Sequence, residues 1–276
     1  DPHHNYATYR RVKFDQFLAD NTRQLSMEAY EEWVARIQAL KPELDAYKQQ
    51  MSILAYLDPE TYGENRQLFS FSEAKIGLIY QGRYYLLPVC GENGRSQISL
   101  EAIRQQIAGI LSVPTGASAV NLNTLATMKR TALADFRREA NATLAKSLNE
   151  LRYAPILINA DQQMGKRPLS DIRQGERGIG DHALTIFDTG DTVAFDQSHI
   201  FFDGAWGTAL AEMMTQEATS WGSYLHQLAA PTMPTHIIRP LLMPLDPAEK
   251  RLIQQADRVT REVGAENNQI NLKQAV

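Results

Sequence analysis

Hydrophobic spacing changes period several times along this chain, and each change marks an element. Over residues 26–51, Ala29, Tyr30, Trp33, Ile37 and Leu40 recur at helical intervals behind Ser26, a suitable N-cap, so the stretch reads as helix. Asp58-Pro59 interrupts the next apolar segment and reads as a break. The runs Ile76–Tyr80 and Tyr84–Val89 flank Gln81-Gly82-Arg83, which predicts a hairpin with Pro88 on an edge. After a turn at Gly91–Gly94, Ser99 caps a helix reaching about Leu111, with Leu100, Ile103, Ile107 and Leu111 on one face. A broken apolar stripe from Leu125 to Leu151 predicts a second helical region starting near Asn123.

The second half of the pattern is richer in strands. Pro155–Asn159 is a continuous apolar run, the mark of a strand buried on both faces. Residues 160–180 are polar and glycine-rich and read as a loop. Ala183–Phe187 and Thr192–Ser198 pair around Asp188-Thr189-Gly190-Asp191, a turn sequence. Ala205–Trp221 reads as helix, with Trp206, Leu210, Met213, Met214 and Trp221 on its core side. Pro231, Pro234, Pro240, Pro244 and Pro247 predict an extended connector before a last helix over Ala248–Val263. No repeat is visible. The succession predicts the α/β class, as a two-layer mixed β-sheet covered by helices.

Composition narrows the function classes. The 276 residues suffice for a real core, and 43% apolar with 22% charged residues is ordinary for a globular protein. A net charge of −4 and scattered basic residues argue against a nucleic-acid partner. No window is apolar enough to span a membrane, and no secretory leader is recognisable. Cys90, the single cysteine, excludes an internal disulfide and suits a reducing compartment such as the cytoplasm. The start, Asp1-Pro2-His3-His4, has no initiator methionine, so the chain is expected to be a piece of a longer polypeptide.

The stretch Ser198-His199-Ile200-Phe201-Phe202-Asp203-Gly204 carries the chemistry. Strand alternation would put Val193, Phe195, Gln197 and His199 on one face, with His199 near the strand's end. There the ring is expected to be partly desolvated and held by packing. Imidazole titrates at about 6.5 and serves as a general base at neutral pH. Gly204 permits a sharp turn. Asp203 either fixes that turn or orients the imidazole, the first role being preferred. The pattern points to acyl transfer to or from a thiol or hydroxyl.

Other candidates carry less. Cys90 has no neighbouring histidine and reads as structural. His3-His4 lacks companion metal ligands and reads as a tail. Gly175-x-x-Gly178-x-Gly180 lacks the dinucleotide-binding order of glycines and reads as a flexible loop. Lys166, Arg167 and Arg173 read as solvated charge, and His182 as a surface residue.

From about residue 60 to 276 the chain resembles the choline/carnitine acyltransferases. The resemblance rests on ordered segments. These are Asp58–Tyr62 with Leu68-Phe69-Ser70; Gly82–Val89 with Asn93-Gly94 and Leu100-Glu101; and Arg130–Arg137, similar to an Arg-x-x-Trp-x-x-x-Arg helix with Leu133 in the tryptophan place. Asp181-His182-Ala183-Leu184 is similar to the Asp-Lys-x-Leu strand, and Gln197–Gly204 to Glu-His-Ser/Ala-x-x-Asp/Glu-Gly. Leu245-Asp246-Pro247 through Ile253 resembles the helix that leaves this half. The His-x-x-x-Asp-Gly pattern also marks chloramphenicol acetyltransferase and peptide-synthesis condensation domains. The latter carry a second histidine where this chain has Ser198.

The resemblance implies a chloramphenicol-acetyltransferase-like, coenzyme A-dependent fold. It implies His199 as catalytic base, Asp203 as structural or assisting the histidine, and Gly204 as the turn residue. The implied reaction moves an acyl group between a coenzyme A or acyl-carrier thioester and a small hydroxyl acceptor such as carnitine or choline. No covalent acyl-enzyme, bound cofactor or metal is called for; coenzyme A thioester is a substrate. The family's second half supplies a Ser-Thr-Ser stretch and basic residues that do not follow Gly204, so a second half-domain or companion chain is expected. The corresponding division is a helical segment 1–55, an acyltransferase-like domain 56–230, and a connector and helix 231–276. The rival expectation is a non-catalytic interaction or scaffold domain that keeps the fold.

Overall fold

A computed structural model of the chain describes residues 53–60, 63–91, 96–114, 122–161, 169–190, 193–202 and 204–258, with single helical positions between 12 and 35. The helix expected over 26–51 lies outside the described residues apart from helical positions 29, 31, 32 and 35. The turn at Gly91–Gly94 falls largely outside them too. The chain forms two units, one of Ile53–Ser198 with Pro231–Val276, the other of Asp1–Ser52 with His199–Ala230.

The first unit opens with a hairpin at the place read as a break: β1 (Ala55–Glu60) pairs antiparallel with β2 (Gly63–Leu68). Strand alternation explains why proline is tolerated. The Leu57 N–H points away from β2 and donates to the Asp181 carbonyl at 3.0 Å. Pro59 presents its nitrogen on that same outward side, so no bond of the hairpin is lost.

The second hairpin is the expected one, β3 (Lys75–Tyr80) with β4 (Arg83–Pro88). Gln81 and Gly82 have φ of 53° and 65°, as a two-residue type I′ turn requires. The Asp161 carboxylate accepts both turn amides, that of Gln81 and, at 2.8 Å, that of Gly82. Pro88 ends an edge strand. With β5 (Ile156–Asn159), β6 (Leu184–Asp188) and β7 (Val193–Gln197) the sheet runs β4-β3-β5-β6-β7. Its three inner strands are parallel and its two edges antiparallel to their neighbours.

The helix at Ser99 is α1 (Leu100–Leu111), capped by Ser99 Oγ, which accepts the Ala102 N–H at 3.2 Å. The helical region from 123 is three pieces: α2 (Asn123–Ala126), α3 (Arg130–Glu139) and α4 (Ala142–Leu151). Asn141 makes the last break, because its side chain accepts the Leu144 N–H at 3.0 Å and starts a new helix. A short helix, α5 (Leu169–Ile172), interrupts the 160–180 loop. The second unit contains α6 (Gly204–Leu225), with Leu210 buried and Trp221 edge-on to Tyr224 at 5.7 Å.

Alternation along the strands divides the core of the first unit. Ile79, Leu86 and Leu157 pack with Phe136, Leu144 and Leu148 of α3 and α4. Leu78, Tyr85 and Leu87 pack with Ile107 and Ile110 of α1. Helices thus cover both faces, giving three layers where two were expected. Each fully buried aliphatic or aromatic side chain contributes about 1.5–3 kcal/mol. Gly77 on β3 is needed for this packing, since a Cβ there would lie 2.2 Å from Leu157 Cδ2.

The proline-rich segment runs extended but packs onto this unit. Leu241 N–H donates to the Tyr84 carbonyl at 2.7 Å, and Ser147 Oγ to the Leu242 carbonyl at 2.6 Å. It bonds to edge strand β4 and leads into α7 (Pro247–Gln255), shorter than the expected run to Val263. Asp246 and Glu249 form a capping box there, and the buried Glu249 carboxylate also accepts the Asn141 N–H at 2.6 Å.

Candidate functional site

The hairpin that precedes the His-x-x-x-Asp-Gly stretch forms as its sequence requires. Leu184 pairs with Gln197 and Asp188 with Val193. Asp188 Oδ1 accepts the Gly190 N–H at 2.8 Å, and Gly190 has φ of 83°. The last bond of the pairing runs from Ser198 N–H to the Ala183 carbonyl at 3.1 Å.

β7 ends at Gln197, so strand alternation does not reach His199. His199 stands in the turn before α6, and its side chain is exposed rather than partly desolvated and held by packing. No hydrogen bond or ion pair reaches its ring among the described residues. Gly204 begins α6. Asp203 lies outside the described residues, and with it the choice between its two expected roles.

The buried histidine is His182, which the sequence reading put on the surface. It is 6% exposed, and its Nε2 lies 2.7 Å from Thr185 Oγ1. Burial lowers its pKa to about 4, against the opposing pull of the Asp181 and Asp196 carboxylates, while Arg177 lowers it further. The imidazole is therefore neutral across the physiological range.

Two ion-pair groups frame the hairpin. On one side Asp181 pairs with Arg137 of α3, and Arg152 Nε lies 3.5 Å from the same carboxylate oxygen. Arg152 also donates to Asp58 Oδ1 at 2.7 Å and sits over the Tyr56 ring, 5.1 Å from its centroid. On the other side, Asp196 of β7 takes Arg173 Nε at 3.1 Å and Arg177 Nη1 at 2.9 Å. Arg173, read as solvated charge, is thus paired; Lys166 and Arg167 lie outside the described residues.

A third polar group secures the segment carrying those arginines. Tyr84 is 2% exposed; its hydroxyl donates to Glu176 Oε2 at 2.5 Å and accepts the Gly178 N–H at 2.9 Å. Burial, then the Glu176 carboxylate, raises its pKa well above the ordinary tyrosine value. Glu176 also accepts the Leu122 N–H at 3.1 Å, and its carbonyl accepts from Asn159 Nδ2 at 2.8 Å. Gly178 has φ of 70° and passes so close to Leu157 that a Cβ would lie 2.9 Å from its Cδ1. The glycines of this loop serve tight packing as well as the turn.

None of these pairings was read from the sequence, because each joins residues from separate elements. A signal existed for Asp196 alone: a charged residue between Phe195 and Gln197 in an otherwise ordinary strand needs a partner. Cys90 is buried, its Sγ 3.7 Å from the Phe71 carbonyl. Among the described residues no group of three or more His, Cys, Asp or Glu side chains is placed to hold a metal ion, and no helix is long and apolar enough to cross a membrane. His3 and His4 lie outside the described residues. The chain matches no protein-family model and no curated protein.

Proposed function

We propose that the chain is the histidine-bearing part of an acyltransferase of the choline/carnitine type, on a chloramphenicol-acetyltransferase-like fold. The observation that supports this is the position of His199. Its ring is exposed, in the turn between an edge strand and the helix opened by Gly204, with no protein partner among the described residues. A base in that position is open to an acceptor hydroxyl.

The chemistry is a proton shuttle. The His199 imidazole takes the hydroxyl proton of an acceptor such as carnitine or choline. The oxygen attacks the thioester carbonyl of an acyl-coenzyme A, forming the C–O bond, and the C–S bond breaks. The departing sulfur takes the proton back from the imidazolium, which returns the ring to neutral. A second half-domain or companion chain supplies donors for the oxyanion and covers the base from water.

The test is thiol release from acetyl- and octanoyl-coenzyme A with carnitine or choline, using the full-length protein and any companion chain. Turnover that drops at least about a hundredfold in His199→Ala is expected for loss of a general base. Unchanged turnover in that variant removes His199 from the mechanism. The rival reading is a non-catalytic scaffold domain that keeps the fold. Lack of turnover with every donor and acceptor in the assembled protein decides for the scaffold.

A further inference from the structure

The chain leaves the first unit at Ser198 and returns to it at Pro231. The returning arm is therefore joined to the body it packs on only through the residues between, and its docking is an intramolecular binding event. Residues 231–246 form no helix or strand. They cross the outer edge of β4 from one face of the sheet to the other. Ile238 packs into the core on the α1 side, and Leu241, Met243 and Leu245 into the core on the α3 and α4 side. Between them the Leu241 N–H donates to the Tyr84 carbonyl at 2.7 Å, the bond by which an extended peptide adds to a sheet edge.

Prolines 231, 234, 240 and 244 have no N–H, so a segment of this kind is recognised largely through its carbonyls. The body supplies the donors. Gln106 Nε2 donates to the His236 carbonyl at 3.2 Å, Ser147 Oγ to that of Leu242 at 2.6 Å, and Asn141 Nδ2 to that of Pro244 at 3.1 Å. Gln105 Nε2 reaches Thr232 Oγ1 at 2.8 Å. Gly109 of α1 makes room for Pro234, since a Cβ there would lie 2.7 Å from the proline Cγ. Leu242, by contrast, is 69% exposed.

We propose that α1, the outer edge of β4 and α4 together form a binding site for an extended, proline-containing segment, filled in this chain by its own residues 232–245. The site selects a spacing: an aliphatic side chain at 238 for one face, an N–H at 241 for the edge, and aliphatic side chains at 243 and 245 for the other face. Recognition of that pattern needs no covalent link between segment and body.

The test cuts the full chain at one engineered protease site between Ala229 and Ala230, both exposed. The nicked protein is expected to keep its arm through native size-exclusion chromatography. Unfolded in urea and refolded with an excess of a labelled synthetic peptide of residues 231–258, it is expected to take up the peptide in place of the arm. N-methylation of the Leu241 amide in the peptide should reduce uptake about tenfold, the effect of one hydrogen bond, whereas Leu242→Ala in the peptide should change it less than about twofold. In the body, Ser147→Ala should raise the dissociation constant of the arm, read by dilution of nicked protein, about 3- to 10-fold. Loss of the arm on cutting, or failure of the peptide to enter on refolding, overturns the proposal, because the segment is then an inseparable part of the fold. Uptake that ignores N-methylation, or an arm held equally by Ser147→Ala, overturns the site as drawn.

Discussion

Acidification from pH 7 to pH 4 should expose how much stability depends on keeping His182 neutral. The ring is buried, with a pKa lowered to about 4, whereas an unfolded chain leaves histidine at about 6.5. Between those values the unfolded chain binds the additional proton, so stability falls as pH falls. The contribution is complete above about pH 6.5 and is lost progressively down to the folded value. The gap corresponds to about 2 kcal/mol lost by pH 5 and about 3 kcal/mol by pH 4. Carboxylates titrate in the same range, so the assay must be differential. Urea unfolding at several pH values, in wild type and in His182→Gln, cancels the shared carboxylate contribution. Wild type is expected to lose about 2 kcal/mol more than the variant between pH 7 and pH 5, whatever their relative stability at pH 7. Parallel stability–pH curves for the two proteins would refute burial of a neutral imidazole.

Two further outcomes concern the fold around the hairpin. Asp181→Asn leaves the guanidiniums of Arg137 and Arg152, 10% and 14% exposed, without their shared charge, and should cost about 3 kcal/mol or more in denaturant unfolding. Gly77→Ala brings a methyl group against Leu157 at the contact between β3 and β5, and should lower stability by about 1–3 kcal/mol, read as a lower midpoint at unchanged denaturant slope.

Elements governed by local chemistry were legible in the sequence. The Gln81-Gly82 turn, the Ser99 cap and the apolar run before Asn159 each state their conformation within a few residues, and each forms as read. The errors have local causes too. Pro59 was read as a strand breaker because the side on which its missing N–H falls is decided by pairing, not by composition. The region from 123 to 151 was read as a helical region with a broken apolar stripe; the last of its breaks is at Asn141, whose side chain caps α4. The third layer was missed because an amphipathic helix announces that it has an apolar face, not which side of a sheet receives it.

The two histidines show why the candidate site was read only in part. His199 was identified by a short motif, and a motif specifies residue types in order, but not burial. Its expected enclosure depended on β7 extending two residues further than it does. His182 has no motif, yet burial perturbs it strongly, and the charges that act on it, Asp181, Asp196 and Arg177, come from the residue before it, from β7 and from the 173–180 segment. The last of these is fixed in space by hydrogen bonds from Tyr84 and Asn159. A motif in local order therefore marks a candidate residue, and tertiary burial marks where a proton is excluded. Asp196 holds Arg173 and Arg177 on β7 and supplies one of the charges that acts on His182. Asp196→Asn removes a charge that raises the His182 pKa, so it should shift to lower pH the range over which protonation of His182 costs stability, read by urea unfolding at several pH values.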